Sequence, residues 1–327
     1  MAVLVTGGAG YIGSVTAERL LESGERVVVV DDLSTGHRRA IPDEAVFIEG
    51  SVLDAAVLAD VFSREPIDAV LHFAAFSRVS ESCADPAKYF RNNVTGSQVL
   101  MDAARGAGVS GFVLSSTAAV YGNPDVVPIV EEAPCRPLNP YGLSKRMVEQ
   151  MLDWYDRTYG LHYVSLRYFN AAGASANRGE DHVPETHLIP NVLCAAAGRR
   201  AYVSIYGCDY PTPDGTCIRD YIHVEDLADA HVAAVRYVRT GGASTIFNLG
   251  TETGVSVLEV MESVRRVTGK DFEVRQEGRR AGDADRLVAS SEKARRVLGW
   301  MPMKSDIDSI VRDAWAWRQR YPNGYVG

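Results

Sequence analysis

Short apolar runs and helical stripes alternate along the first half of the chain. Val3-Leu4-Val5 ends at Thr6, the glycine-rich Gly7–Gly13 follows, and Val15, Ala17, Leu20 and Leu21 then recur at helical spacing until Gly24. Arg26–Val30 is a continuous apolar strand that ends in Asp31-Asp32. This is strand, turn, helix, strand, the opening of a parallel sheet. Val46-Phe47-Ile48 predicts a third strand, Asp54–Phe62 a helix, and Ala69–His72 a fourth strand with its exit at Phe73-Ala74-Ala75. A long helix is expected over Tyr89–Gly106, then a strand at Gly111–Leu114 that delivers Ser115 through Gly122. Pro124, Pro128, Pro134 and Pro137 keep the next stretch out of a helix. Asn139-Pro140 suits an N-cap and first helical position, which starts a helix at Pro140 and puts Tyr141 in its first turn.

The second half reads as strands at Tyr163–Arg167, Tyr202–Tyr206 and Thr245–Leu249, with helices opening at Glu185–Pro190 and running from Asp226 to Arg239. Residues 174–185 are polar and contain glycine, so a mobile loop or lid is expected. Trp300, Trp315 and Trp317 fall in C-terminal helical patterns and read as packing residues.

Size adds little that the pattern lacks: 327 residues allow two domains or one large one. The charge is more selective. With 34 basic and 42 acidic residues and a net −8, a general nucleic-acid surface is disfavoured, while local arginine sites for anions stay open. Five cysteines, none in Cys-x-x-Cys spacing, imply reduced thiols of a cytoplasmic protein rather than disulfides or a zinc site, and no metal is expected. The N-terminus leads straight into a strand without a signal-peptide pattern, and no apolar run reaches membrane length.

The chemistry concentrates at two places. Gly7, Gly10 and Gly13 have the spacing that lets backbone N–H groups approach a pyrophosphate at a helix start. Asp31, at the end of the second strand, suits ribose hydroxyls and repels a 2′-phosphate, which favours NAD over NADP. Tyr141 and Lys145, four apart, share a helix face. A lysine ammonium beside the phenol is expected to lower its pKa and suit it to taking a proton from an alcohol. Read alone, the pair is more often a half-buried tyrosine beside a solvated lysine. Ser115 and Thr117 place hydroxyls at a strand's carboxyl end, where they can enter a site or cap their own turn. His72 reads as a packed strand-end residue, and Asn92 or Asn93 could brace a nearby loop.

These marks together resemble the extended short-chain dehydrogenase/reductases, in particular their UDP-glucose 4-epimerases. The resemblance rests on Thr6–Gly13, Ser115–Gly122, Tyr141–Lys145, Leu166-Arg167-Tyr168-Phe169-Asn170 and Gly215–Val224, and spans nearly the whole chain. It implies an α/β fold: a Rossmann-type doubly wound parallel sheet with a smaller, discontinuous C-terminal α/β substrate domain. The expected division is 1–172 with 218–250 for NAD, and 173–217 with 251–327 for the UDP-sugar.

The resemblance also implies roles. Tyr11 and Ile12 would meet the pyrophosphate, and Asp31, Asp32, Leu33, Ser34, Thr35 and Gly36 the adenosine ribose. Ser51 and Val52 would lie near the adenine, Phe73, Ala74, Ala75, Ser77 and Ser115 along the cofactor, with Asn92 in support. Thr117, Tyr141 and Lys145 would be catalytic, with Lys145 on the nicotinamide ribose and Phe169 on the nicotinamide. Asn170, His187 and Leu188 would contact the sugar nucleotide, and Ser204, Ile205 and Tyr206 the uracil. Arg219 and Arg280 would hold phosphate, as forked permanent cations suit it, with Asp283 on the uridine ribose and Leu287 lining the sugar pocket. His187 reads equally as a surface residue at a helix start.

Two positions depart from the pattern. Ser51 stands where many relatives carry an aspartate, and Ser77 where some carry a lysine. The implied reaction is reversible inversion at C4 of a UDP-hexose through a 4-keto intermediate, in a homodimer paired through helices near 90–105 and 142–158. A 4,6-dehydratase is the alternative enzyme, but it needs an Asp-Glu pair where Ala118-Ala119 follow Thr117. A non-enzymatic NAD sensor would have no use for Thr117, Tyr141 and Lys145 together.

Overall fold

A computed structural model describes residues 1–280 and 283–325. Seven parallel strands form its main sheet. In chain order the first six are β1 (Ala2–Thr6), β2 (Arg26–Asp31), β3 (Val46–Glu49), β4 (Ile67–His72), β5 (Gly111–Thr117) and β6 (His162–Tyr168), and the seventh is Thr245–Leu249. The spatial order runs Thr245–Leu249, β6, β5, β4, β1, β2, β3. From β1 the chain first winds outward through β2 and β3. It then crosses back to β4 on the other side of β1, so the winding reverses between β1 and β4. In open α/β sheets that reversal opens a crevice at the carboxyl ends of the strands.

The alternation of side chains along β1 divides the core. Val3 and Val5 pack with Leu20, Val235 and Phe247 beneath helices Tyr11–Glu22 and Val224–Arg239. Ala2 and Leu4 face the other way, onto Leu58, Leu100, Met101, Val148 and Leu152 of the helices on the opposite face. Strands covered on both faces read as unbroken apolar runs, which is why Arg26–Val30 shows no alternation.

A third core lies outside this sheet. It joins Ile189, Val192 and Leu193 of helix Leu188–Ala196 to Val203 and Ile205, and to Val260, Met261, Ile310 and Val311 of two C-terminal helices. Tyr202–Tyr206 pairs in parallel with Glu273–Glu277, and Ile218–Arg219 lies between Val255–Ser256 and Arg286–Leu287. Between these segments the chain returns to the large sheet, where Thr245–Leu249 pairs with β6. Trp300 and Trp317 are buried, and Trp300 Nε1 donates to the Asp226 carbonyl at 2.8 Å, so both pack as expected.

Two expectations need correction. The helix expected over 89–106 is interrupted: Phe90–Thr95 forms a π segment between Pro86–Tyr89 and Gly96–Gly106. Periodicity does not register one extra residue in a turn. The polar stretch 174–185, expected to be mobile, is pinned. Ser175 and Arg178 both bind the Glu18 carboxylate, Arg178 Nε donates to the Ala40 carbonyl at 2.7 Å, and Ala174 bridges to Gly179.

Candidate active site

The turn after β1 is built for an anion. Gly7 has φ +75°, and a Cβ there would sit 2.5 Å from the Ala74 backbone nitrogen, so only glycine lets this turn pass the exit of β4. Gly10 caps helix Tyr11–Glu22 without a side-chain hydrogen bond, and no acidic residue stands in the first turn. The first N–H groups of that helix are therefore open, with the positive end of its dipole at the crevice. Asp31 accepts from Ala9 N and Leu33 N, both at 2.9 Å, which ties the end of β2 to the glycine turn. Asp32 accepts from Ser34 N at 3.0 Å, and Gly36 is pressed against Ala9. Thus Asp31, Asp32, Leu33 and Ser34 are hydrogen-bonded into one wall with the glycine turn, and Thr35 leads from it to Gly36. These donors fit a dinucleotide pyrophosphate, with the Asp31 carboxylate at hand for ribose hydroxyls.

The neighbouring candidates are less uniform. Phe73 packs on His231, with ring centroids 4.7 Å apart. Ser51 accepts from Leu53 N at 3.3 Å, Val52 is buried, and Ser77 is exposed. His72 is buried between Thr6 Oγ1 at 2.7 Å and Ser97 Oγ at 2.8 Å, and desolvation lowers its pKa to about 3, so it is a packing residue. Asn93, more than Asn92, does the bracing. Its side chain accepts from Phe76 N at 2.9 Å, donates to Phe76 O at 3.0 Å and reaches Ser144 Oγ at 3.1 Å, while Asn92 Nδ2 donates to Asn93 Oδ1. Asn93 lies within the π segment and joins the β4 exit to the helix that carries Tyr141.

That helix, Pro140–Tyr159, begins as expected, with Asn139 Oδ1 accepting from Gly142 N at 2.9 Å. Lys145 is buried and donates to the Ser115 carbonyl at 2.8 Å. Ser115 Oγ in turn bonds Tyr168 Oη, and Thr117 Oγ1 accepts from Ala119 N at 3.1 Å. Burial pushes the Tyr141 phenol up, and its hydrogen bond with the Thr117 hydroxyl pulls it back. Burial also lowers the Lys145 ammonium to about 8, with Glu149 opposing. The expected lowering of Tyr141 by Lys145 is not what the folded chain shows. The ammonium is turned onto a backbone carbonyl, and desolvation acts on both residues against their charged forms. The Thr117 hydroxyl is the group placed to stabilise a phenolate.

A buried network behind this pair escaped the sequence reading. Glu149 accepts from Ser116 Oγ at 2.6 Å and from Arg167 Nε at 2.8 Å and Nη2 at 2.6 Å. Arg167 also donates to Tyr121 Oη at 2.8 Å, which donates to Asn248 Oδ1 at 2.7 Å. Tyr141, Lys145 and Glu149 follow at four-residue intervals, so the spacing held a signal for the third member.

Among the sugar-nucleotide candidates, Phe169, Leu287 and Arg219 are tied to the same edge. Phe169 and Leu287 pack on one small cluster with Val120, Tyr121 and Ile129, just beyond Thr117. Leu287 pairs in register with Arg219, and Arg219 Nη2 is 3.7 Å from Asp283 Oδ1. Arg280 stacks 3.7 Å from the Tyr206 ring centre. Asn170 N donates to the Asp220 carbonyl at 3.0 Å. Ser204 Oγ bonds Glu277, and the Ile205 side chain is buried, leaving only its backbone for a ligand. Ala281 and Gly282, inside the Arg280–Asp283 motif, lie outside the described residues. His187 is the N-cap of helix Leu188–Ala196, and its ring faces Glu180 and Glu185 rather than the arginines.

Comparison with known proteins agrees with this geometry. Residues 3–250 match the model of the NAD dependent epimerase/dehydratase family. The UDP-glucose 4-epimerase of Streptococcus mutans is 53% identical over 329 residues, covering 99% of each chain. That of Streptomyces lividans is 53% identical over 323 residues, covering 98% of this chain and 97% of its own. A crystal structure of UDP-glucose 4-epimerase from Brucella ovis in complex with NAD superposes with a TM-score of 0.94 at 49% identity, covering 96% of this chain and 97% of that one. The chain belongs to the NAD dependent epimerase/dehydratase family.

Proposed function

We infer that this chain catalyses the reversible, NAD-dependent epimerisation at C4 of a UDP-hexose, interconverting UDP-galactose and UDP-glucose. The observation that carries the reading is the placement of Thr117, at the carboxyl end of β5, beside the helix that carries Tyr141 and Lys145, with Lys145 donating to the Ser115 carbonyl and no second acid–base pair after Thr117. Bound NAD would take up the C4 hydride and return it to the other face of the sugar.

The chain's own residues do the rest. Tyr141 takes the 4-hydroxyl proton and gives it back. Thr117 hydrogen-bonds the same oxygen and shortens the proton path. Lys145, held by Ser115, binds the nicotinamide ribose, while Gly7, Gly10, Tyr11, Ile12 and Gly13 hold the pyrophosphate and Asp31 the ribose. Arg219 and Arg280 grip the diphosphate, with Asp283 on the uridine ribose and Tyr206 against the uracil, so the sugar can turn while its nucleotide stays. Leu287 and Phe169 bound the space for that turn. The third core supports a division into 1–172 with 218–250 and 173–217 with 251–327.

A homodimer is part of this proposal. Leu143, Met147 and Trp154 form one exposed apolar stripe along helix Pro140–Tyr159, with Trp154 65% accessible. Sedimentation should give a dimer that Trp154→Glu weakens, and a monomeric parent chain overturns the pairing. Among the described residues no helix is long and apolar enough to cross a membrane. Incubating the purified protein with UDP-galactose and NAD should yield UDP-glucose with no net NADH; a 4-keto-6-deoxy product, or no product, refutes the reading.

A further inference from the structure

We propose that Glu180, His182, Glu185 and His187 bind one divalent cation, zinc above all, on the segment that leads into helix Leu188–Ala196. One ligand atom from each lies within 4.8 Å of all the others. His187 Nδ1 is 2.7 Å from Glu180 Oε1 and 2.9 Å from Glu185 Oε1, and His182 Nδ1 is 3.1 Å from Glu180 Oε1. Ligands about 2.0–2.2 Å from a tetrahedral zinc stand roughly 3.4 Å apart, so these three pairs need open by only about 0.3–0.7 Å to span one, while the remaining pairs lie within 4.8 Å. Two imidazoles with two carboxylates is a donor set of the zinc class, whereas calcium and magnesium prefer oxygen alone.

A second observation points the same way. Glu185 Oε2 is buried without a hydrogen-bond partner, on the carboxylate whose other oxygen faces His187. A buried carboxylate oxygen left unpaired is costly, and a cation shared by both Glu185 oxygens would satisfy it. Among the described residues no lysine or arginine side chain pairs with Glu180 or Glu185. A cation would neutralise both carboxylates while the imidazoles stay neutral.

Position gives the site a use. The His182 ring meets Tyr11 edge-on at 6.4 Å, and Tyr11 Oη donates to the Gly173 carbonyl at 2.7 Å. His187 caps the helix whose first residue is Leu188. A closed, four-ligand cation would therefore fasten the start of that helix to the dinucleotide turn, a structural role that needs no open coordination position.

The test uses the full chain, untagged. After loading with zinc and desalting, elemental analysis should find one zinc per chain, held tightly against a chromophoric chelator. Cobalt in its place should give a four-coordinate visible spectrum without a thiolate charge-transfer band. Glu180→Gln and His182→Gln should each weaken zinc by at least about tenfold while keeping a cooperative metal-free melt. Failure to retain stoichiometric zinc, a thiolate band, or unchanged zinc affinity in both folded variants would overturn the site, the four side chains then being ion-paired with one another alone.

Discussion

Replacing Glu149 by Gln tests whether the network behind the catalytic helix governs both stability and the lysine. The Glu149 and Arg167 side chains are each 1% accessible, and two N–H groups of one guanidinium meet the carboxylate. Glutamine removes the charge and turns an amide N–H₂ toward a group that can only donate. Breaking one partner of a buried pair typically costs about 3–5 kcal/mol, because the other charge stays in place unpaired. Arg146, at 3.0 Å and 31% accessible, adds little to that sum. A loss of this size lowers the melting temperature by about 4–7 °C in a chain of this length. Glu149 is also the neighbour that raises Lys145 against burial. Without it, Lys145 falls further below about 8 and loses its proton earlier as pH rises, so the alkaline limb of turnover moves to lower pH. Calorimetry and a turnover–pH profile read the two effects separately. Glu149→Met with Arg167→Met should recover most of the stability, since a buried pair exchanged for apolar side chains is often near neutral. A Glu149→Gln chain that melts within about 2 °C of the parent and keeps its alkaline limb would refute both arguments.

Tyr141→Phe removes the proton acceptor and should cut turnover by about 10²–10⁴-fold; near-normal conversion of UDP-galactose would reject the assignment. Leu287→Tyr adds bulk beside Phe169 and should lower turnover of UDP-GalNAc relative to UDP-galactose, and an unchanged ratio would remove Leu287 from the sugar pocket. Desolvation holds His72 at about 3 and His231 at about 4, below their ordinary 6.5. The unfolded chain therefore takes up these protons first, and stability present above pH 6.5 is lost as pH falls through about 4 to about 3. Melting temperatures that rise between pH 6.5 and 4.5 would contradict this. Gly7→Ala combines a φ of +75° with a Cβ 2.5 Å from a backbone atom, so NAD affinity and melting temperature should both fall; a parent-like titration would show that the turn has room.

Local chemistry was legible in the sequence. The strand runs, the glycine turn and the Asn139-Pro140 helix start depend on neighbours within a few positions, and each is found where expected. What depended on distant partners was not legible. The Glu149–Arg167 pair joins a helix to a strand 18 residues on, and Asn93 reaches Phe76 from within a π segment. Residues 174–185 look loose by composition, yet Glu18, 157 residues before Ser175, holds them. The direction of the Tyr141 shift also needed coordinates. The four-residue spacing placed the ammonium on the right face, but Ser115 decides where it points.

The late return of Thr245–Leu249 to the large sheet bears on how this chain can be divided. A fragment stopping at residue 172 would hold the whole glycine turn and catalytic helix, yet leave β6 with a bare row of N–H and C=O groups. Unprotected strand edges recruit other chains. Such a fragment should be recovered as aggregate, while co-expression with residues 218–250 supplied in trans should return part of it to solution.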